Sequence, residues 1–370
     1  MVYCTYCGKE LAEDALFCSQ CGERTQKGEE THARFPGRTR FAPWHGYQAY
    51  EAMEERSFTG EVATERVFLQ VLNINGPVHV TSWDKQEYSV QLQVKARGPS
   101  QEEAEKNLKL FQTPLNKELS EGLTKLVLVY DYPREWGRGY SVDVDVRLPE
   151  KASVDLDLGS SNGGIEVSAL KGGEMKIRSS NGKLTLQDLD AKTVTSETSN
   201  GRIEAKVQAQ DMTMTTSNGP IEISGFQGNR LEIHTSNGAI HLHDISAQSL
   251  VGRTSNGRIE GKIDAGESNL STSNGQVDLA FAATRSGRHR LHTSMGSVRL
   301  HLPSDSRVGY DLDLHTTHRR IDIDIPNLAF RRSYRDEVLA TTTDFDAKEI
   351  KLSIEASTSQ GRIEAGTTLS

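Results

Sequence analysis

The tetrapeptide Thr/Ser-Ser-Asn-Gly recurs seven times between residues 159 and 275, with its asparagines at Asn162, Asn181, Asn200, Asn218, Asn237, Asn256 and Asn274. The steps from one asparagine to the next are 19, 19, 18, 19, 19 and 18. A fixed period of this length marks a chain built from one supersecondary unit stacked on copies of itself. Such a chain presents a long surface rather than one enclosed pocket, which favours binding over catalysis.

Within a repeat the apolar residues alternate with polar ones. Leu231, Ile233 and Thr235 share one parity before the turn, and Ile240 and Leu242 share another after it. Met212, Met214 and Thr216 then Ile221 and Ile223 fit the same frame, as do Met175, Ile177 and Ser179 then Leu184 and Leu186. Each run is a half-buried strand, so the unit is two short strands joined at Asn-Gly. Asn-Gly is also a type I′ hairpin signal, and a meander of hairpins is the competing architecture. A hairpin gives no reason for Thr/Ser-Ser before every Asn-Gly. Coils stacked about 4.8 Å apart do, because like residues then form hydroxyl and amide ladders. The expectation is an all-β solenoid with coils of about 19 residues.

The register outlasts the perfect copies. Ser294-Met295-Gly296 precedes Val298 and Leu300, His318-Arg319 precedes Ile321 and Ile323, and Ser359-Gln360-Gly361 precedes Ile363. Terminal repeats depart from consensus because they cap an open end. Upstream, Asn75-Gly76-Pro77-Val78-His79-Val80 reads as a degenerate first coil. Between it and the repeats, residues 101–112 (QEEAEKNLKLFQ) form the one convincing helix, with acidic residues early and Pro114 soon after its end.

All four cysteines cluster at the N-terminus, as Cys4, Cys7, Cys18 and Cys21 in the pattern C-x2-C-x10-C-x2-C. Two such pairs can wrap one metal in the tetrahedral thiolate set that zinc prefers. Gly8 and Gly22 follow the second cysteine of each pair and let backbone amides approach the sulfurs. The reading is a zinc ribbon over residues 1–24 with a structural zinc; two disulfides or an iron site are the alternatives. Residues 1–30 hold Lys9, Arg24 and Lys27 against Glu10, Glu13, Asp14, Glu23, Glu29 and Glu30, which disfavours nucleic acid as a partner. Four sulfur ligands leave no open position for water, so this zinc is not expected to catalyse.

Residues 25–60 read as a flexible linker holding Pro36, Gly37, Pro43 and Gly46. Its Phe35, Arg38, Arg40, Phe41, Trp44, Tyr47 and Tyr50 either dock a partner or an anionic membrane surface, or pack on the first coil. Residues 61–150 form an N-terminal β region of the solenoid domain, and residues 151–370 form the repeats with a C-terminal cap. No run of about 18 apolar residues and no signal-peptide pattern occurs, so no integral membrane segment and a cytoplasmic location are expected. A hydrophobic fraction of 35%, only 6% aromatic, suits a thin stacked core.

On the repeats, an outward column runs Glu166, Thr185, Glu204, Glu222, His241, Glu260, Asp278, Arg299, Asp322 and Glu364. Lys183, Arg202, Arg258, Arg320 and Arg362 lie two residues before members of it. Stacked carboxylates repel and these cations relieve them; the face is either solvated or a ligand stripe. His241 and His243 on one strand, with His234 nearby, make a metal or surface cluster. No nucleophile elbow, zincin motif or phosphate loop is present.

The segments from Asn75 to Trp83, residues 101–112, Val142 to Pro149 and the serial Ser-Asn-Gly turns together resemble the bacterial "putative adhesin" β-strand-repeat family, a domain of unknown function. The resemblance covers roughly residues 61 to 366 and implies a right-handed β-solenoid without known chemistry. Some relatives are tied to envelope-stress regulation, and others carry export signals or membrane helices. The expected function is a non-enzymatic scaffold that binds protein partners, with self-association through the solenoid ends. A surface adhesive or glycan-binding module, and a β-helix carbohydrate-active enzyme, are the other classes weighed.

Overall fold

The computed structural model describes residues 2–3, 10–11, 50–130, 139–282 and 284–368. The chain divides into two compact units, Met1–Gln48 and Ala49–Ser370. In the first, the described residues are two short strands, Val2–Tyr3 and Glu10–Leu11, paired antiparallel. The four cysteines and the aromatics from Phe35 to Tyr47 lie outside the described residues.

The second unit is a β-solenoid. Its long strands Leu184–Thr198, Ile203–Thr216, Ile221–Thr235, Ile240–Thr254 and Ile259–Thr272 each run from one Ser-Asn-Gly turn to the next. Each pairs in parallel with the next, so the hairpin meander is not formed. Inward residues repeat coil by coil. Ile165, Leu184, Ile203, Ile221, Ile240, Ile259, Val277, Val298 and Ile363 occupy one register position, and none is more than 1% exposed. One coil alone could not cover these side chains. Stacking buries each at about 2 kcal/mol, which is why the repeat length is the folding signal.

The mixture of longer and shorter coils has a structural cause. In the longer coils one extra residue sits at the bend after the first strand run, at positive φ: Ala169 (55°), Asp188 (52°), Gly225 (138°) and Asp244 (53°). The shorter coils, from Asn200 to Asn218 and from Asn256 to Asn274, lack that extra residue. Gly261 in the second of them has a φ of 143° but stays in register opposite Leu242. Pairing therefore slips by one position where the two kinds meet, at Gln187/Leu189, Ala205/Val207 and Leu242/Ile245. Two longer coils in succession pair without a slip, as Ile221–Thr235 and Ile240–Thr254 do through this bend.

Both ends of the stack depart from chain order. The coil made by Arg66–Leu72 and Val78–Trp83 comes first in the sequence of this unit but second in space. The strands Leu123–Val129 and Tyr140–Pro149 pair on its outer side, and Ser153–Ser160 and Ile165–Ser168 on its inner side. At the other end, Ile350–Thr358 and Ile363–Thr368 insert between Gly287–Pro303 and the coil made by Val308–Thr316 and Ile321–Asp324. The last chain segment is thus the penultimate coil. The outward column accordingly runs Arg299, Glu364, Asp322 and not in sequence order.

The expected linker ends earlier than residue 60. Tyr50–Glu61 is a strand, paired antiparallel with Glu87–Gly98 along its whole length. Its sequence reads as linker because only Ala52 is fully buried, and what holds it is main-chain pairing. Arg56 adds a long-range tie: its Nη1 donates to the Phe111 carbonyl at 2.8 Å and to Thr113 Oγ1 at 3.0 Å. These contacts lie just past the C-terminal end of the helix Gln101–Leu110. That helix starts at Ser100, whose hydroxyl accepts from the Glu103 amide, with Glu102 and Glu103 in the first turn. No helix among the described residues is long and apolar enough to cross a membrane.

Candidate functional site

The recurring turn repeats one set of polar contacts from coil to coil, and each of its four residues takes part in it. The leading Thr or Ser is buried, and its Oγ accepts from the amide of the glycine three residues on. At Thr235 this bond to Gly238 is 3.1 Å. The same hydroxyl donates to the carbonyl of the glycine one coil back, Gly219, at 3.2 Å. The hydroxyls therefore ladder through glycine carbonyls rather than through one another. The next two residues hold the backbone. The amides of Ser236 and Asn237 both donate to the Ser217 carbonyl, at 3.2 and 3.0 Å.

The asparagine side chains form a continuous amide ladder. Asn162 Nδ2 donates to Asn75 Oδ1 at 2.7 Å, and the pattern continues through Asn181, Asn200, Asn218, Asn237, Asn256 and Asn274 at 2.6–2.8 Å. Every donor points toward the same end of the stack. Asn75 closes that end by donating to the Tyr140 carbonyl at 3.0 Å. At the far end the next coil carries Met295 in the asparagine's place, 56% exposed. Each amide keeps one N–H and one lone pair that the ladder does not use.

The acidic column is held by the cations expected beside it. Lys183 Nζ reaches Glu204 at 2.7 Å, Arg258 Nε reaches Glu260 at 2.8 Å, and Arg362 Nε reaches Glu364 at 2.7 Å, which Arg299 of the column itself also meets at 2.8 Å. The hydrogen bond from Lys183, with help from Arg202, holds the Glu204 carboxyl below the usual carboxylate range despite some burial. These are half-exposed surface pairs, each worth well under about 1 kcal/mol, so they set pattern more than stability.

The three histidines do not converge. His241 Nδ1 lies 2.8 Å from Glu260, one coil on, while His234 sits in a different stack and bonds Glu232 at 2.8 Å. His243 is exposed. Among the described residues, no three His, Cys, Asp or Glu side chains are grouped so as to hold a metal ion. An open polar groove of about 700 Å³ at the N-terminal end is lined by Arg56, His79, Gln91, Gln93, Asp143 and Asp145.

Nothing in the sequence singles out one buried pair. Ser268 and His289 stand in a column whose earlier members are Val194, Met212, Leu231 and Leu250. Both are 1% exposed, and Ser268 Oγ lies 2.9 Å from His289 Nδ1. Among the described residues Nε2 of His289 has no hydrogen-bond partner. Burial pushes this imidazole down to about 4, against a smaller upward pull from Asp264. Strand parity carried the only signal, because His289, Leu291 and Thr293 alternate inward as in every other repeat.

The sequence profile of the Toastrack DUF4097 family matches residues 75–364, the whole run from the first Asn-Gly to the last outward carboxylate. The chain belongs to the Toastrack DUF4097 family. A zinc-ribbon domain profile matches residues 3–24, which contain all four cysteines. No curated protein matches the sequence. Solved structures similar to this Toastrack chain include a "putative adhesin" from Bacteroides fragilis, 13% identical, covering 84% of this chain and 97% of that one with a TM-score of 0.29. A "putative lipid binding protein" from Parabacteroides distasonis is 12% identical, with 85% and 96% covered and a TM-score of 0.38. A "putative cell adhesion protein" from Clostridium sporogenes is 8% identical, with 86% and 100% covered and a TM-score of 0.22.

Proposed function

We propose that this protein is a non-enzymatic interaction scaffold, in which a zinc ribbon and a Toastrack β-solenoid each recruit protein. The observation that carries this reading is the sameness of the coils. Turn hydroxyl, turn amide and outward carboxylate recur at one spacing over most of the stack, and most of the acids are already bonded to a neighbour. A periodic polar face of this kind suits an extended partner, whereas catalysis needs one place that differs from the rest.

In the ribbon, Cys4, Cys7, Cys18 and Cys21 would hold zinc as four thiolates. The donor set fits: two C-x2-C pairs supply the four soft ligands of a closed tetrahedral site, whose contribution is to fold the module. A cytoplasmic location is part of the proposal, and envelope-stress regulation is one setting for it that rests on family resemblance.

The test is affinity capture with the full chain and with Cys18→Ser, followed by reconstitution of any captured protein in purified form. A stoichiometric complex with the purified partner supports the scaffold, and its loss in Cys18→Ser assigns recognition to the ribbon. Turnover of a polysaccharide by the full chain, abolished by one carboxylate substitution, would overturn it.

A further inference from the structure

Asn-Gly is the dipeptide in which an asparagine side chain is most readily lost, because glycine leaves its backbone nitrogen unshielded. That nitrogen attacks the asparagine Cγ, the Cγ–Nδ2 bond breaks, and the amide nitrogen departs as ammonia with the proton from the glycine amide. Water then opens the resulting succinimide to aspartate or isoaspartate. This chain carries eight Asn-Gly pairs along one surface, at Asn75 and at the seven repeats. The asparagines of the seven repeats are all exposed.

The fold obstructs the reaction twice at the repeats. The glycine amide is occupied by the Ser or Thr Oγ three residues back at Gly163, Gly182, Gly201, Gly219, Gly238, Gly257 and Gly275. The asparagine side chain is held by the ladder, so any movement of its Cγ toward that nitrogen strains or breaks ladder bonds. From Asn75 to Asn256 each side chain is bonded at both ends. Among the described residues Asn274 is bonded at one end only, through Nδ2 to Asn256 at 2.6 Å, because Met295 in the next coil offers its Oδ1 no donor.

We propose that Asn274 is the isoaspartate-forming site among the seven repeats, and that the ladder protects the repeat asparagines behind it. Conversion at Asn274 also propagates. An aspartate there has no N–H for Asn256 Oδ1, and isoaspartate adds an atom to the backbone of the turn. Asn256 then becomes the member bonded at one end, so damage proceeds coil by coil from the Asn274 end.

The test is to age the purified full chain at neutral pH and body temperature and to map each Asn-Gly peptide for acid and isoaspartate by mass spectrometry. Asn274 is expected to convert roughly fivefold faster than Asn237, the factor that one hydrogen bond of ordinary net strength makes in a rate. In denaturant the two should convert alike. Doubly converted molecules should carry 274 with 256 rather than random pairs. Met295→Asn supplies the missing donor and should slow Asn274 to the interior rate. Thr235→Val removes the clamp on the Gly238 amide and should speed Asn237, the readout that stands if Met295→Asn fails to fold. Equal rates at Asn274 and Asn237 in the folded chain, or no change at Asn274 in a folded Met295→Asn protein, overturn the proposal.

Discussion

A Cβ placed on Gly238 would lie 1.8 Å from the carbonyl oxygen of Gly219, one coil back. The same holds up the column: Gly182 meets Gly163, Gly201 meets Gly182, Gly257 meets Gly238 and Gly296 meets Gly275, each at 1.7–1.8 Å. Among the glycines of the Asn-Gly pairs only Gly76 has positive φ, at 102°. Glycine is therefore required by close approach of stacked backbones and not by the left-handed turn that Asn-Gly suggests in a hairpin.

Gly238→Ala should therefore cost about 3 kcal/mol or more, because backbone and not a flexible side chain must give way. Gly122, with φ of 73° and no atom of the described residues within 4 Å of its would-be Cβ, is the contrast. Gly122→Ala should cost about 1 kcal/mol, from backbone conformation alone. Urea midpoints of the two variants give the comparison.

The bend residue predicts an asymmetry in deletions. Removing Asp244 turns a longer coil into the shorter kind that the chain already uses from Asn200 to Asn218. It also removes a non-glycine residue at φ of 53°. The deletion should cost no more than about 2 kcal/mol. Deleting Glu222 instead reverses the parity of Ile221 and Ile223 and should unfold the coil. A folded Glu222 deletion, judged by circular dichroism and melting, would contradict this.

His289 makes stability depend on acid. Its folded pKa of about 4 lies below the ordinary 6.5, so the folded state favours the neutral ring. Its contribution is complete above about pH 6.5 and is lost as pH falls through about 4, about 3 kcal/mol in all. Carboxylates held low, such as Glu204 and Glu232, add a loss of the same sign in acid. His289→Leu isolates the imidazole: its unfolding free energy should fall less than the wild type's between pH 7 and pH 4. Parallel curves for the two proteins would reject the assignment.

Ser196 is 0% exposed and its hydroxyl has no hydrogen-bond partner among the described residues, in a column between Ile177 and Met214. Ser196→Ala removes an unpaired polar group at little loss of volume and should stabilise by about 1 kcal/mol. A lower melting temperature for the variant would count against an unsatisfied hydroxyl there.

The ribbon supplies the last prediction. Chelation or Cys18→Ser should remove one zinc per chain while leaving the melting transition of the solenoid in place, because the two are separate compact units. Simultaneous loss of both transitions would contradict two independent modules.

The local pattern in the chain determined the coil. Alternation fixed which side chains face inward, the tetrapeptide fixed where each turn falls, and the helix was legible from its early acidic residues and from Pro114 soon after its end. Even the outward carboxylates and their cations followed from parity. These are short-range features, set by neighbours a few residues away or by the same position one period on. The buried Ser268–His289 pair obeys the same parity, but its polar residue types disguised it as surface.

The order of coils at the two ends was decided by tertiary structure alone. A parallel coil presents the same unpaired edge to any strand of matching length, so nothing local says which segment takes it. Ile350–Thr358 therefore lies against Gly287–Thr293 although it is distant in sequence, and Tyr50–Glu61, too polar to announce itself, finds its place by main-chain pairing with Glu87–Gly98. The unequal coil lengths were visible from the start. Their meaning, one residue folded out at a positive-φ bend, depends on how successive coils must pair, and only the stacked structure supplies that.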